Sequence, residues 1–436
     1  MVVSNASSQD RLVYLDFAAA TPVAPEVMEA MEPYWTERFY NPSAPYRAAR
    51  EAHKDLEAAR ARLAHVLGSR AGNVTLTAGA TEANNLALAA VDGLAIVCAT
   101  EHESVLACAE AHGSRVVGVS SDATLKLDEL RSMLDDGVEL VSIGLANGEV
   151  GTIEPIREVA RIVQDERMRR LEAGIDAPLL LHTDASQAAG HVSVNVSSLG
   201  VDLMTLSAAK VYGPKQVGLL WHGDGIALRP LVRGGGQEGG VRSGTENVAG
   251  AVGFACALEL AERMRPAEGK RLRSLARRFR SRLAQDIPDV VFAGPARDAK
   301  RLPGIVHASF AGVEARRLVI ALERRGVYVG TGSACAASRM RTSHVLRAMG
   351  YPDELAQGSL RISMGRTTTE DEVDYAARTI VECVGAERAR MGWRRPSPGA
   401  SSAVVVGAVQ THASTTVAPV SVAGAGREHT RAGRKR

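Results

Sequence analysis

The chain has 436 residues, 45% hydrophobic and 23% charged, with a formal charge of +3. That length suits one large domain with a smaller one, and no stretch approaches the roughly 18 uninterrupted apolar residues of a membrane span. The charge is unevenly placed: from Arg394 onward there are seven Arg or Lys and one acid, Glu428, so this end carries +6 and the body −3, which removes any charge argument for nucleic-acid binding.

The amino terminus has neither the basic start nor the long apolar stretch of a secretory signal, so a cytoplasmic protein with no DNA or membrane partner is expected. From residue 46, apolar positions such as Ala52, Leu56, Ala59 and Leu63 recur at helical spacing and stop at Gly68, a C-terminal cap. Short apolar runs then alternate with helical stretches, the pattern of a doubly wound sheet. Strands are expected over 73–77, 95–99, 116–120, 140–145, 179–183, 203–207 and 217–221, with helices over 81–90, 126–135 and 154–173. The glycine-rich "LVRGGGQEGGVRSGTEN" breaks the rhythm, and a long amphipathic helix over 247–285 precedes an α+β pattern. The expected fold class is α/β: a large domain (18–265) with a mostly parallel seven-stranded sheet, and a smaller α+β domain (1–17 and 266–393). Beyond Pro396 large apolar side chains are nearly absent, so 394–436 is expected to be a disordered basic tail.

The five cysteines form no CxxC pair, which argues against a disulfide framework and against a structural zinc site; no metal is expected. Cys98 and Cys256 lie in apolar patterns, whereas Cys335 sits among small and polar residues in "TGSACAAS". Several strand ends carry chemistry. Lys210, in "SAAKVYGP", follows strand 203–207, and ligands of open α/β sheets bind at the carboxyl ends of strands. "TAGATEANN" places a helix start at Ala80 and Thr81, whose backbone N–H groups and hydroxyl make a cradle for a single phosphate. Asp184, in "HTDASQ", ends a strand and can hold a heterocyclic nitrogen protonated, or cap the next helix. His102 follows another strand, and Thr245 follows the glycine run, from where it can reach a phosphate across a subunit interface. A lysine for a Schiff base, a carboxylate for a ring nitrogen, an aromatic base and a phosphate cradle are together the parts of a pyridoxal phosphate site.

With these motifs, and with "VYLDFAAATPVAPEV", "NPSA", "TEHESVL", "GSACAAS" and "LRISMGRTTTEDEVD", the chain resembles the cysteine desulfurases of the NifS/IscS kind. These belong to the class V aminotransferase group of fold-type I pyridoxal phosphate enzymes, and the resemblance covers roughly residues 12 to 390. It implies Lys210 as the Schiff-base lysine, Asp184 on the pyridine nitrogen, and His102 stacked on the ring and shuttling protons. It implies Gln187 on the ring oxygen, and Ala80, Thr81, Ser207 and, from a second subunit, Thr245 on the phosphate. Arg361 would grip the substrate carboxylate and Cys335 would take the sulfur of L-cysteine as a persulfide, releasing alanine. The expected protein is a homodimer that passes sulfur to an acceptor for iron–sulfur cluster, thio-cofactor or tRNA biosynthesis.

Two positions depart from the family pattern. Gly148, in "LANGEVG", stands where an asparagine bonds the ring oxygen, and Ala209 stands where a histidine donates to the phosphate, a contact worth about 1.5 to 3 kcal/mol. Asn147, the neighbour of Gly148, points to the opposite face of an extended segment. Weaker cofactor retention follows. Two other readings share these residues: another class V activity, such as selenocysteine lyase or a β-lyase on a sulfur amino acid, and a degenerate non-catalytic relative.

Overall fold

A computed structural model describes residues 12–332 and 342–394; Cys335 and the expected tail from 395 onward lie outside the described residues. In chain order the strands are β1 (Val13–Tyr14), β2 (Val74–Thr77), β3 (Leu94–Cys98), β4 (Ser114–Val117), β5 (Val138–Ser142), β6 (Leu180–Asp184), β7 (Leu203–Ser207), β8 (Gly218–His222), β9 (Val291–Ala293), β10 (Ile305–Ser309), β11 (Val327–Tyr328) and β12 (Ser359–Ser363). Seven of them form one sheet in the order β2-β8-β7-β6-β5-β3-β4. All run parallel except β8, which is antiparallel to both β2 and β7. All five residues of β7 are buried, which is why central strands of such a sheet read as apolar runs with few breaks, here Thr205 and Ser207. Strand β4 ends at Val117, short of the expected 120, because the Gly118 N–H leaves the ladder to bond the Glu129 carboxylate at 3.0 Å.

Helices Arg47–Leu67, Ala80–Leu88, Leu127–Met133 and Ile156–Glu172 cover the sheet connections. Gly68 closes the first of these in the left-handed conformation (φ 71°), and a Cβ there would strike Asn195. Helix Glu103–His112 escaped the periodicity because its N-cap is His102, not the usual Ser, Thr, Asp or Asn.

A second core lies beyond the sheet. Here β10 pairs antiparallel with β9 and β12, β1 pairs parallel with β11, and helices Ala315–Glu323 and Glu370–Arg390 pack alongside. The 39-residue helix Val248–Asp286 serves both cores, its first turns packing with the large sheet and its residues Leu272, Leu275, Phe279 and Leu283 with the second cluster. Because β2, β3, β6 and β7 are mutually parallel, the residues that follow them emerge along one edge of the sheet.

Candidate active site

That edge opens into a cavity of about 800 Å³, lined among others by Thr81, His102, Asp184, Gln187, Ser207, Lys210 and Arg361. A space of this size accepts a cofactor-sized ligand. Ala80, Gly148 and Ala209 also line it.

Lys210 ends a short 3-10 turn, Ala208–Lys210, directly after β7. The chain then folds back, with the Val211 and Gly213 N–H groups both donating to the Ala208 carbonyl, at 3.1 and 2.9 Å. A Cβ on Gly213 would lie 2.8 Å from that same oxygen, so the Tyr-Gly-Pro turn needs its glycine. The Lys210 Nζ donates to the carbonyls of Ala18 and Ala19 at 2.8 and 2.7 Å, which fixes the ammonium at the cavity wall. Gly79, at φ 143°, precedes helix Ala80–Leu88 with no side-chain cap, leaving the first-turn N–H groups without intrahelical acceptors. Glu82 in that turn pairs with Arg242 at 2.9 Å and accepts from the Ala78 N–H at 2.7 Å.

Asp184 closes β6. Its Oδ1 accepts from the Ser186 N–H at 2.9 Å and its Oδ2 from the Asn84 amide at 2.8 Å. The same amide nitrogen donates to Ser104 Oγ at 2.9 Å, and Ser104 Oγ lies 2.8 Å from His102 Nδ1. The Ser104 N–H also donates to that Nδ1, at 3.1 Å. Desolvation by the cavity walls, helped by the Lys210 cation, holds the His102 pKa below the ordinary imidazole value against the pull of Asp184. Behind Asp184, buried His182 bridges Ser142 and Thr205 at 2.8 and 3.0 Å, and burial pushes its pKa down to about 4.

Arg361, on β12, is only 4% exposed. Its Nη2 pairs with Asp16 at 2.8 Å and its Nη1 reaches the Gly148 carbonyl at 3.4 Å, while its buried Nε–H has no hydrogen-bond acceptor among the described residues. Gln187 donates to the Ala18 carbonyl at 3.0 Å and fills the space beside Gly148: a Cβ on Gly148 would sit 2.6 Å from Gln187 Cδ. Asn147 is committed elsewhere, bonding the Thr100 carbonyl and accepting from the Glu149 and Val150 N–H groups. Thr245 is exposed and does not line this chain's cavity, and Cys335 falls outside the described residues.

Several site residues were not picked out from the sequence. Glu101 sits buried at the cavity floor, its Oε1 accepting from the Gly144 N–H at 2.7 Å; burial, with Asp184 and Glu154 nearby, pushes its pKa up to about 8. His344 lines the wall with its Nε2 at 3.0 Å from the Glu101 carbonyl. Asn84 and Ser104 lie within helical and strand-end stretches, and no sequence signal marks them as buried polar links.

The chain matches the family described as Aminotransferase class-V over residues 13–376. It is 36% identical over 394 residues to a cysteine desulfurase IscS from Clostridium botulinum, covering 87% of this chain and 96% of the relative. A cysteine desulfurase IscS from Dictyoglomus turgidum is 40% identical over 382 residues, with 84% and 92% covered. Among solved structures, a NifS-like protein superimposes with a TM-score of 0.79 at 34% identity, covering 86% of this chain and all of that one.

Proposed function

The chain belongs to the class-V aminotransferase family, and on that footing we propose that it is a pyridoxal-phosphate-dependent cysteine desulfurase, releasing L-alanine from L-cysteine and passing the sulfur through Cys335 to an acceptor protein. The observation that carries this reading is the convergence of Lys210, Asp184, His102, the open helix start at 79–81 and Arg361 on one cavity.

The residues present fit the cofactor. Lys210 would hold it covalently, Asp184 would accept from its ring nitrogen, and the uncapped helix start with Thr81 and Ser207 would take the phosphate. When bound, the cofactor supplies an electron sink for a carbanion at the substrate α-carbon.

This chain's own side chains do the rest. Arg361 binds the substrate carboxylate, to which its unpaired buried Nε–H is a ready donor, and Asp16 keeps the guanidinium from turning. Lys210 Nζ takes and returns the α-proton, with His102 beside it. The Cys335 thiolate attacks the substrate sulfur, so that a carbon–sulfur bond breaks, a sulfur–sulfur bond forms and the former β-carbon is protonated to the methyl of alanine. Thr245, exposed on its glycine-rich loop, is assigned to the cavity of a second copy in a homodimer. Among the described residues no helix is long and apolar enough to cross a membrane.

Purified, cofactor-loaded protein given L-cysteine and a reductant should yield alanine, and the Cys335→Ala variant almost none. No alanine from either would overturn the assignment.

A further inference from the structure

We propose that Asp184, Asn84 and Ser104 form a polarised hydrogen-bond chain that fixes His102 as the neutral tautomer with its proton on Nε2, so that the ring offers the site a donor in place of a base. Asn84 and Ser104 are then positioning residues for His102. The proposal deepens the desulfurase reading and rests on it only for the use to which that donor is put.

The polarity follows from one end of the chain. A carboxylate only accepts hydrogen bonds, so the atom 2.8 Å from Asp184 Oδ2 must be the Asn84 nitrogen. Turning the amide over would set its oxygen against the carboxylate. That nitrogen spends its other proton on Ser104 Oγ at 2.9 Å, making the hydroxyl an acceptor on that side. The Ser104 proton then points along the remaining contact, 2.8 Å to His102 Nδ1. A second donor, the Ser104 backbone N–H at 3.1 Å, converges on the same Nδ1, and a main-chain N–H cannot reverse its role. With two donors aimed at Nδ1, the imidazole proton resides on Nε2, at the opposite edge of the ring.

The orientation has a visible cost. Asn84 is fully buried, and its Oδ1 has no hydrogen-bond partner among the described residues. An amide free to choose would turn that oxygen toward the Ser104 hydroxyl; the Asp184 charge prevents it. The charged and titratable groups around the His102 ring are Asp184, Lys210, His344 and, on its own helix, Glu103. Of these, Asp184 is joined to the ring through the chain of hydrogen bonds. A change in the charge borne by Asp184 is therefore felt at His102 through oriented bonds as well as through space.

Tautomer and titration are read directly by NMR of the full-length, pyridoxal-phosphate-loaded protein with isotope-labelled histidine, the His102 signals being assigned with His102→Gln. The native protein should show an unprotonated Nδ1 and a protonated Nε2 at neutral pH. Ser104→Ala and Asn84→Ala should each raise the proton affinity of His102, about tenfold for loss of one hydrogen bond to the neutral form. Ser104→Thr, which keeps the hydroxyl, should return the titration to that of the native protein, a rescue that a purely structural role for Ser104 would not give. An Nδ1–H tautomer in the native protein, or a His102 titration unchanged in both alanine variants, would overturn the proposal. The readout needs no turnover: a protein inert toward L-cysteine that shows the Nε2–H pattern would sink the desulfurase assignment and sustain this one.

Discussion

Replacing Gly148 by alanine tests how tightly Gln187 fills the space beside that glycine. The new methyl would lie 2.6 to 2.9 Å from Cδ, Cγ and Nε2 of Gln187, so the flexible end of Gln187 must swing away and release its 3.0 Å bond to the Ala18 carbonyl. Losing that bond costs about 0.5 to 1.5 kcal/mol, whereas a glycine-to-alanine change at a backbone angle alanine tolerates returns about 0.4 to 1 kcal/mol by restricting the unfolded chain. The single variant should therefore lie between about 0.5 kcal/mol stabilised and about 1 kcal/mol destabilised. In a Gln187→Ala background the clash is gone and the same change should stabilise, so the double-mutant cycle should close with an interaction of about 1 kcal/mol. Urea unfolding of the four proteins at one pH and one cofactor concentration measures it. Additive effects, within about 0.3 kcal/mol, would refute the claim that Gln187 fills the room beside Gly148.

Two further outcomes follow from the same cavity. Glu101, its pKa raised from 4.5 to about 8, holds its proton in the folded protein at pH values where the unfolded chain has released it, so it should subtract stability as pH rises from about 4.5 to 8. At about 1.4 kcal/mol per unit, Glu101→Gln should gain about 2 to 3 kcal/mol over the native protein between pH 5.5 and 8, and a gap independent of pH would contradict this. Arg361→Lys replaces a planar fork with a point charge, so kcat/KM for L-cysteine should fall about 10- to 100-fold, the equivalent of one charged hydrogen bond, while cofactor absorbance is retained. Unchanged kinetics would remove Arg361 from substrate binding.

Central strands such as β3 and β7 were legible because buried parallel strands are largely apolar on both faces, and Gly68 announced its own helix end. The positions of Lys210, Asp184, His102 and Thr81 at strand ends were legible for the same reason: once the strands are placed, the next residues fall on one edge. What lay hidden depends on contacts between distant segments. Asn84 and Glu101 look like ordinary polar residues until the fold buries them, and only then does their hydrogen bonding acquire a direction. The helix after His102 was missed because a histidine performs the capping. That Gln187 fills the space at Gly148 could be seen only with both side chains in place, although the glycine itself was conspicuous in the sequence.

The helix Val248–Asp286 has a mechanical consequence. At 1.5 Å per residue its 39 residues make a rod about 58 Å long, rooted at one end beside the sheet that carries Asp184 and Lys210 and at the other in the core that carries Arg361. A rod shared in this way turns any relative displacement of the two cores into bending of a single element. Its weak point is marked: Pro266, within the helix, lacks the N–H that would bond the carbonyl four residues earlier. Any bending of this rod would therefore be easiest at Pro266, in the stretch that joins the core carrying Lys210 to the core carrying Arg361.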